Sequence, residues 1–246
     1  MGSDLDDRLN HLSQHGYVVI EGALSLPEYR AFADRIKALY HAGHDHGAND
    51  VGTIWFDDVL SVDPDLFGTL IAHRSVREEL RTLAGSQLQL RSLRGHYYPG
   101  QYRQHWHMDF YGYWDQRDQG QLAAQGLALN TTFYFQDGGP DSSQLEFVTS
   151  GHLERPAGVK RGAVIGTEQN AFTQWCESQP RTVIYPRAGD CVLFYSHIPH
   201  RGLKTDPVSE RSNIVCHYQV NPFYPGVWFL SETIGDSGIY PFAEAG

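Results

Sequence analysis

The sequence predicts a mainly β fold of the α+β class, a β-sandwich or barrel buttressed by helices at its N-terminus. Three observations predict it. Helical signals are concentrated in residues 1–86, strand-like segments separated by turns fill residues 87–246, and a length of 246 residues suits one core rather than two. We therefore expect a single domain over residues 1–246, in which residues 1–86 are mainly a helical support for a β core.

The N-terminal third contains three predicted helices and one short strand. Residues 4–15 have a helical pattern and lead into an apolar strand at 16–20. Ser25 can cap the next helix, and Glu28, three residues later, completes a capping box. The apolar positions of that helix recur at helical spacing, at Leu26, Tyr29, Phe32, Ala33, Ile36 and Leu39. A further helix is expected over 75–85.

The rest of the chain is divided by turn residues into short apolar segments, which is typical of strands. These segments lie at 87–98, 105–110, 127–136, 144–148, 181–185, 190–195 and 211–220. The interval 154–179 has few strand signals and combines glycines with charges. We interpret it either as a lid over a site or as a long surface excursion.

His107 and Asp109 are separated by one residue within the predicted strand 105–110. Since residues i and i+2 of a strand point to the same face, the imidazole and the carboxylate can be aimed at one point. A third ligand has to come from elsewhere, and a predicted strand near the C-terminus ends in His200. Two histidines and one carboxylate on one face of a metal are the ligands of iron(II) oxygenases. The three open positions can take a bidentate 2-oxo acid and O2.

Arg211 is the candidate anchor for the far carboxylate of such a 2-oxo acid. It lies eleven residues after His200, at the start of the apolar segment 211–220. A guanidinium matches a carboxylate with two parallel hydrogen bonds. An arginine one strand beyond the last histidine is well placed for this role.

Two other classes of protein remain open at this point. His105 shares the predicted strand face of His107, and the two with His200 would form the site of a three-histidine cupin dioxygenase or isomerase that does not use 2-oxoglutarate. That site leaves Asp109 and Arg211 without a role, and loss of Arg211 would not matter to it. The second class is a catalytically silent β fold that binds a ligand or a protein, which would bind neither iron nor 2-oxoglutarate.

Six stretches in a fixed order carry a resemblance to a known family: 16–25, 107–109, 144–152, 189–190, His200 and Arg211. With these motifs the chain resembles the phytanoyl-CoA dioxygenase-like superfamily of iron(II)/2-oxoglutarate oxygenases over most of its length. The resemblance implies a double-stranded β-helix, the jelly-roll or cupin-like fold. It also implies iron(II), O2, and 2-oxoglutarate bound by Arg211.

One position departs from the family pattern. Many members carry serine two residues after the distal histidine, where its hydroxyl helps to hold 2-oxoglutarate, whereas this chain has Gly202. We therefore expect another hydroxyl in the pocket, from Tyr97, from Thr132 or from a water molecule. Arg94 and Gln101, on the segment before the metal-binding strand, are further candidates to assist.

Asp109 also bears on the type of reaction. Halogenating relatives replace the metal carboxylate with a small residue, which frees a position for chloride. Because Asp109 fills that position, the resemblance favours hydroxylation, or a related outcome of hydrogen abstraction such as desaturation, ring closure or epimerisation. Small members of the superfamily modify natural products, amino acids and other metabolites, so we expect a small-molecule substrate.

Composition excludes several other functions. A net charge of −10 argues against a nucleic-acid or anionic-membrane partner, because both need a basic face. The first residues are acidic and polar, without the features of a signal peptide, and no apolar run has the length of a transmembrane helix. Three cysteines without metal-binding spacing are typical of reduced thiols, so we expect a cytoplasmic protein. The sequence carries no sign of the oligomeric state.

Overall fold

The computed structural model is a pair of antiparallel sheets with helices covering one of them. It describes residues 4–45, 52–57, 59–84, 88–109, 127–154 and 170–220. The helices are α1 (Asp4–His15), α2 (Leu26–His41), α3 (Val59–Val62), α4 (Pro64–Phe67), a 3-10 turn (Gly68–Leu70), α5 (Arg77–Ala84) and α6 (Ala171–Ser178). The strands are β1 (Tyr17–Ile20), β2 (Ile54–Phe56), β3 (Leu88–Tyr98), β4 (Tyr102–Arg103), β5 (Ala128–Tyr134), β6 (Gln144–Val148), β7 (Arg181–Ile184), β8 (Cys191–Tyr195), β9 (His200–Lys204) and β10 (Arg211–Val220).

The strand order is that of a double-stranded β-helix. The large sheet has six strands in the order β1-β8-β5-β10-β3-β2, and the small sheet has four in the order β4-β9-β6-β7. Consecutive strands alternate between the two sheets over much of the chain, and the described pairs are antiparallel. The predicted mainly β jelly-roll fold is confirmed.

The helices α1 to α5 cover the outer face of the large sheet. In α2, the backbone N–H of Ser25 donates to the Glu28 carboxylate at 2.7 Å, as the predicted capping box requires. Its buried face consists of Phe32, Ile36 and Leu39. These side chains form one core with outward-facing residues of the sheet, among them Leu93, Leu129, Phe133, Leu193, Ile214 and Cys216. Burial of this apolar surface is the main force that holds the helices to the sheet.

The inner face of the large sheet is different in character. Along β10, Ile214 and Cys216 belong to the helix-side core, so the alternation of a strand turns Arg211, Asn213 and His217 inward. Apolar packing between the two sheets is confined to a smaller cluster, made by Tyr17, Tyr134, Leu145, Phe147, Val192, Phe194 and Ile198. The inner face of the barrel therefore has a polar part, which includes these residues of β10, beside an apolar part made by this cluster.

Several local predictions were wrong. Residues 105–109 are not a regular strand; they pair with the opposite chain at a single isolated bridge, between His107 and His200. His200 begins β9 rather than ending the preceding strand, because a turn separates β8 from it. The short elements β2, α3 and α4 were not predicted, since segments of three or four residues depend on tertiary contacts more than on local pattern.

The predicted lid falls partly outside the described residues. Residues 155–169 are not described, whereas residues 171–178 form α6, which Asn170 caps through its side chain. The helix packs through Phe172 and Cys176 against Trp106 and Met108, a contact that anchors it to the small-sheet side. Residues 1–86 contribute β1 and β2 to the large sheet as well as helices. Among the described residues, no helix is both long and apolar enough to cross a membrane.

Candidate metal centre

The segment that carries the candidate ligands lies antiparallel to the chain before and within β9. His107 and His200 exchange both backbone hydrogen bonds, each at 3.0 Å. The backbone N–H of Asp109 donates to the carbonyl of Ser196 at 2.9 Å. These bonds fix the segment against β9 even though it is too irregular to count as a strand.

The segment nevertheless alternates as a strand would. Trp106 and Met108 are buried in the cluster with α6. Since neighbouring residues point to opposite sides of an extended chain, His107 and Asp109 face the barrel interior. The physical basis of the sequence prediction, a spacing of two residues, therefore holds without a regular strand.

The structure brings His107, Asp109 and His200 together. Their donor atoms all lie within 4.8 Å of one another. The Nε2 atom of His107 is 3.7 Å from Asp109 Oδ1, and the Nε2 atom of His200 is 3.5 Å from Asp109 Oδ2. A metal ion about 2.1 Å from each donor requires neighbouring donors about 3 Å apart, so each of these two separations would have to shorten by about 0.5–0.7 Å on binding.

Both imidazole rings are held in the orientation that metal binding requires. The Nδ1 atom of His107 lies 2.8 Å from the carbonyl oxygen of His105, and the Nδ1 atom of His200 lies 2.9 Å from that of Ile198. A carbonyl oxygen only accepts, so each Nδ1 carries the proton. The Nε2 lone pair of each ring is then available to a metal ion bound beside Asp109.

Asp109 is oriented by a relay of polar side chains. The amide of Asn130 donates to Asp109 Oδ2 at 2.5 Å, and the hydroxyl of Ser196 donates to Asn130 Oδ1 at 2.6 Å. Burial by itself raises the pKa of Asp109, but His200 and His217 beside it hold that pKa well below its ordinary value. The carboxylate is therefore ionised and ready to bind a cation.

Protonation does not block His107 at neutral pH. Burial, and after it the proximity of His200, lowers the pKa of His107 to about 4. The neutral imidazole is the form that binds metals. Two neutral nitrogens and one carboxylate suit a divalent first-row metal such as iron.

His217 is a residue that the sequence analysis missed. Its Nε2 atom lies 3.6 Å from Asp109 Oδ2, and its Nδ1 atom lies 2.7 Å from the hydroxyl of Ser92. It follows Arg211 by six residues on β10, an even spacing that places both on one face. That parity was the signal in the sequence that could have found it.

Arg211 lies inward at the opposite end of β10. Its side chain is buried, with 3% of the residue exposed, and its Nε and Nη1 atoms have no hydrogen-bond partner among the described residues. Its Cζ atom lies 4.9 Å from the ring centre of Tyr134 and 5.5 Å from those of Tyr98 and Tyr102. Burial lowers the pKa of Arg211 to about 10, which still leaves the guanidinium charged at pH 7.

A buried guanidinium without a counterion is costly, and an anion that occupies the space before it removes much of that cost. The three tyrosine rings supply a flat wall around the charge, but they supply no negative group. The arrangement therefore fits the carboxylate of a bound ligand.

The four other residues predicted to help bind 2-oxoglutarate lie in different environments. Tyr97 packs on the helix side of the sheet, with its ring 4.7 Å from that of Tyr40, so its predicted role is wrong on geometry. Thr132 is buried on the inner face, between Asn130 and Tyr134 in the alternation of β5, and its role stays a prediction.

Arg94 and Gln101 are both engaged elsewhere. Arg94 forms an ion pair through Nε with the carboxylate of Asp57. Gln101 is exposed and donates to the backbone carbonyl of Thr205 at 2.5 Å. These contacts argue against a direct bond from either residue to 2-oxoglutarate, because each already satisfies a protein acceptor.

The alternative three-histidine set is not assembled. Among the described residues, the group of close donor atoms contains His107, Asp109 and His200 and does not include His105. His105 contributes its backbone carbonyl to orient His107 instead. Asp109, to which the three-histidine alternative gives no role, is therefore the third member of the cluster.

Comparison with known proteins gives one family. The family model described as phytanoyl-CoA dioxygenase (PhyH) matches residues 12–206. No curated protein matches the sequence significantly.

Solved structures of similar fold include three enzymes. The epimerase SnoN, solved with Fe3+, alpha ketoglutarate and nogalamycin RO, superposes with a TM-score of 0.70 at 18% identity, and the match covers 90% of each chain. HygX from Streptomyces hygroscopicus, solved with nickel, 2-oxoglutarate and hygromycin B, gives 0.69 at 16% identity over 88% of each chain. The carbocyclase SnoK from nogalamycin biosynthesis gives 0.68 at 18% identity over 89% of this chain and 84% of its own.

Proposed function

The chain belongs to the phytanoyl-CoA dioxygenase family, and from that premise we propose that it is a non-haem iron(II)- and 2-oxoglutarate-dependent oxygenase that acts on a small molecule. The observation that carries the proposal is a pair of features in one barrel. One is a two-histidine, one-carboxylate cluster within 4.8 Å, and the other is a buried guanidinium whose Nε and Nη1 have no partner among the described residues.

The residues have separate roles in this proposal. His107, Asp109 and His200 hold iron(II), and Asn130 keeps the Asp109 carboxylate turned toward it. Arg211 receives the distal carboxylate of 2-oxoglutarate. When bound, the metal and its cosubstrate activate O2 and supply the oxidant that removes hydrogen from a substrate C–H bond, with 2-oxoglutarate converted to succinate and CO2.

Asp109 supports an oxygenase rather than a halogenase. It occupies the place where a halide would otherwise bind, and the relay from Ser196 through Asn130 fixes it there. Hydroxylation is the outcome that we propose first. Desaturation, cyclisation and epimerisation use the same initial hydrogen removal, and two of the structural neighbours are an epimerase and a carbocyclase.

We propose a natural product, an amino acid or a related metabolite as the substrate class. SnoN and HygX were solved with nogalamycin RO and hygromycin B, both small molecules. The net charge of −10 supports the same class, because it disfavours a nucleic-acid substrate. We further propose one catalytic domain over residues 1–246, supported by the way in which β1 and β10 belong to one sheet.

The test is turnover with product mass. The protein is incubated with iron(II), 2-oxoglutarate and O2 against a panel of natural products and amino acids, and succinate is measured beside the mass of each product. We expect succinate formation that requires iron and is lost in Asp109→Ala. A gain of one oxygen atom indicates hydroxylation, and loss of two hydrogens indicates desaturation or cyclisation. An unchanged mass with altered retention indicates epimerisation.

Two outcomes would contradict the proposal. Chlorinated product in the presence of chloride would make the enzyme a halogenase despite Asp109. A folded wild-type protein that binds neither iron nor 2-oxoglutarate would favour a silent binding scaffold instead.

A further inference from the structure

Tyr102 carries a buried hydroxyl that neither the sequence prediction nor the proposed function has used. It lies on β4 with 4% of the residue exposed, and its hydroxyl has no hydrogen-bond partner among the described residues. Buried hydroxyls are almost always hydrogen-bonded, since their removal from water is otherwise uncompensated. A hydroxyl in this situation points to a ligand that completes it.

The side chain of Tyr102 lies against the Arg211 pocket. Its ring stacks on that of Tyr98 with centres 4.0 Å apart, and the Arg211 guanidinium carbon is 5.5 Å from each of these two rings. The Nε and Nη1 atoms of Arg211 and the hydroxyl of Tyr102, which have no hydrogen-bond partner among the described residues, therefore lie beside the same pair of rings. Both are donors that a carboxylate accepts from.

Gly202 makes this placement of Tyr102 possible. A Cβ atom at position 202 would lie 3.2 Å from the Tyr102 hydroxyl oxygen and 2.8 Å from Gln104 Oε1. The space that a side chain of residue 202 would fill is thus already occupied by Gln104 and Tyr102. The glycine and the tyrosine form a complementary pair.

The same position connects the pocket to the metal centre. Gly202 follows His200 by two residues on β9, so both face the same side of the strand, about 6–7 Å apart. That distance matches the length of a five-carbon diacid. A ligand that chelates a metal beside His200 can therefore extend past Gly202 toward Tyr102 and Arg211.

We propose that the Tyr102 hydroxyl donates a hydrogen bond to the distal carboxylate of 2-oxoglutarate beside Arg211, in place of a hydroxyl from residue 202. The inference deepens the proposed function and rests on it. It assigns Tyr102 as a specificity-determining residue that distinguishes a 2-oxo diacid from a 2-oxo monoacid. It also replaces Tyr97, whose hydroxyl lies on the wrong face of the sheet.

The experiment compares Tyr102→Phe with wild type in anaerobic calorimetric titrations of the Mn(II)-loaded protein. Loss of one hydrogen bond to a charged group is expected to raise the Kd for 2-oxoglutarate about 10-fold. The Kd for 2-oxopentanoate, which lacks the distal carboxylate, and the affinity for Mn(II) are expected to stay within about twofold of wild type. Retained binding of both probes shows that the variant is folded.

Two further variants sharpen the test. Tyr97→Phe removes the hydroxyl of a buried tyrosine on the helix side of the same sheet and is expected to leave the Kd for 2-oxoglutarate unchanged. Adding Gly202→Ser and Gln104→Ala to Tyr102→Phe removes the atom nearest to the new Cβ, returns a hydroxyl to the shared space and is expected to recover at least part of the lost affinity.

The outcomes separate the inference from the proposed function. If wild type binds 2-oxoglutarate and Tyr102→Phe binds it equally well, the assignment of Tyr102 is wrong while the proposed function stands. An equal loss for 2-oxopentanoate and 2-oxoglutarate also overturns it, since the effect would not concern the distal carboxylate. If wild type itself fails to bind 2-oxoglutarate, the proposed function and the inference fall together.

Discussion

At the triad end of the barrel, each candidate ligand is held by a neighbour, whereas at the Arg211 end several buried polar atoms have no such partner among the described residues. His107 and His200 donate from Nδ1 to backbone carbonyls, and Asp109 accepts from Asn130. The Arg211 guanidinium leaves Nε and Nη1 unpaired among the described residues, and the Tyr102 hydroxyl is in the same condition.

This difference is informative about what each end binds. A site whose ligands are oriented by second contacts is preorganised for an ion that stays bound. A buried cation with unpaired donors is poised for an anion that enters and leaves with each turnover, because a permanent protein counterion would block it. The comparison therefore predicts a metal at one end and an exchangeable carboxylate at the other.

The largest expected effect is at the triad. Asp109→Ala removes the only carboxylate of the described cluster and leaves His107 and His200 as two neutral ligands. We expect iron(II) affinity to fall by more than about 100-fold, beyond the 10–100-fold typical of residues that only support ligands. Anaerobic metal titration measures it. Unchanged iron affinity in the folded variant would place the metal elsewhere.

The next effect is on the free energy of unfolding. Most substitutions of buried residues lower it, whereas this one is expected to raise it. Arg211→Met replaces a buried guanidinium, whose Nε and Nη1 have no partner among the described residues, with an unbranched apolar side chain. Without ligands, we expect the variant to unfold at a higher free energy than wild type by about 1–3 kcal/mol, as is found when buried ion groups are replaced by apolar residues. Urea unfolding of the apo-proteins measures it.

A lower unfolding free energy in Arg211→Met would contradict the contrast between the triad end and the Arg211 end. A clear loss of apo-protein stability in Arg211→Met would mean that protein contacts already satisfy the guanidinium. Glu28→Ala is a useful reference for an ordinary loss, since it removes a helix cap distant from the barrel interior and is expected to cost about 1 kcal/mol.

A smaller effect on iron(II) affinity is expected for residues that orient a candidate ligand without binding the metal themselves. Asn130→Ala leaves all three ligands in place but removes the amide that donates to Asp109. We expect iron(II) affinity to fall about 10-fold, with the affinity for 2-oxoglutarate at saturating metal little changed. Ser196→Ala, one bond further away, is expected to have a weaker effect in the same titration. Equal losses in both variants would contradict the relay.

The smallest effect concerns pH. His96 lies on the inner face, paired with Asn213, and burial, aided by nearby Arg94, lowers its pKa to about 3. Its folded pKa is therefore below the unfolded value of about 6.5, so between these values the unfolded chain binds a proton that the folded one does not. Stability from this group is complete above about pH 6.5 and is lost as pH falls.

The measurement is the unfolding free energy from pH 4.5 to 7.5. His96→Gln is expected to flatten the pH dependence by up to about 1.4 kcal/mol per pH unit, the slope that one proton produces. Asp109 and His217 also face this region and remain in the variant, so they contribute equally to both curves. Parallel curves would mean that His96 titrates alike in the folded and unfolded states.

The sequence was sufficient for the parts of the site that depend on local spacing. His107 and Asp109 are two residues apart, and that spacing set their common direction even though the segment is not a regular strand. The long apolar runs and the capping box of α2 likewise predicted their elements. The short β2, α3 and α4 could not be predicted, because their residues have no strong pattern of their own.

The other residues of the site depend on the register between strands, which cannot be predicted from the sequence pattern of one strand. Arg211 pairs with Tyr98, which turns Tyr98 toward the guanidinium and Tyr97 toward the helices. Without that register, one tyrosine was as plausible as its neighbour. Tyr102 and Asn130 were missed for the same reason, since their partners lie on strands that are distant in the chain.

The most direct test of the two-ended account is an anaerobic titration of the iron(II)-loaded protein with 2-oxoglutarate, followed by the visible metal-to-ligand charge-transfer band. We predict that wild type saturates, and that Arg211→Met binds iron(II) equally well but needs about 100-fold more 2-oxoglutarate for the same band. A band of equal affinity in Arg211→Met, or no band from the folded, loaded wild type, would contradict the account.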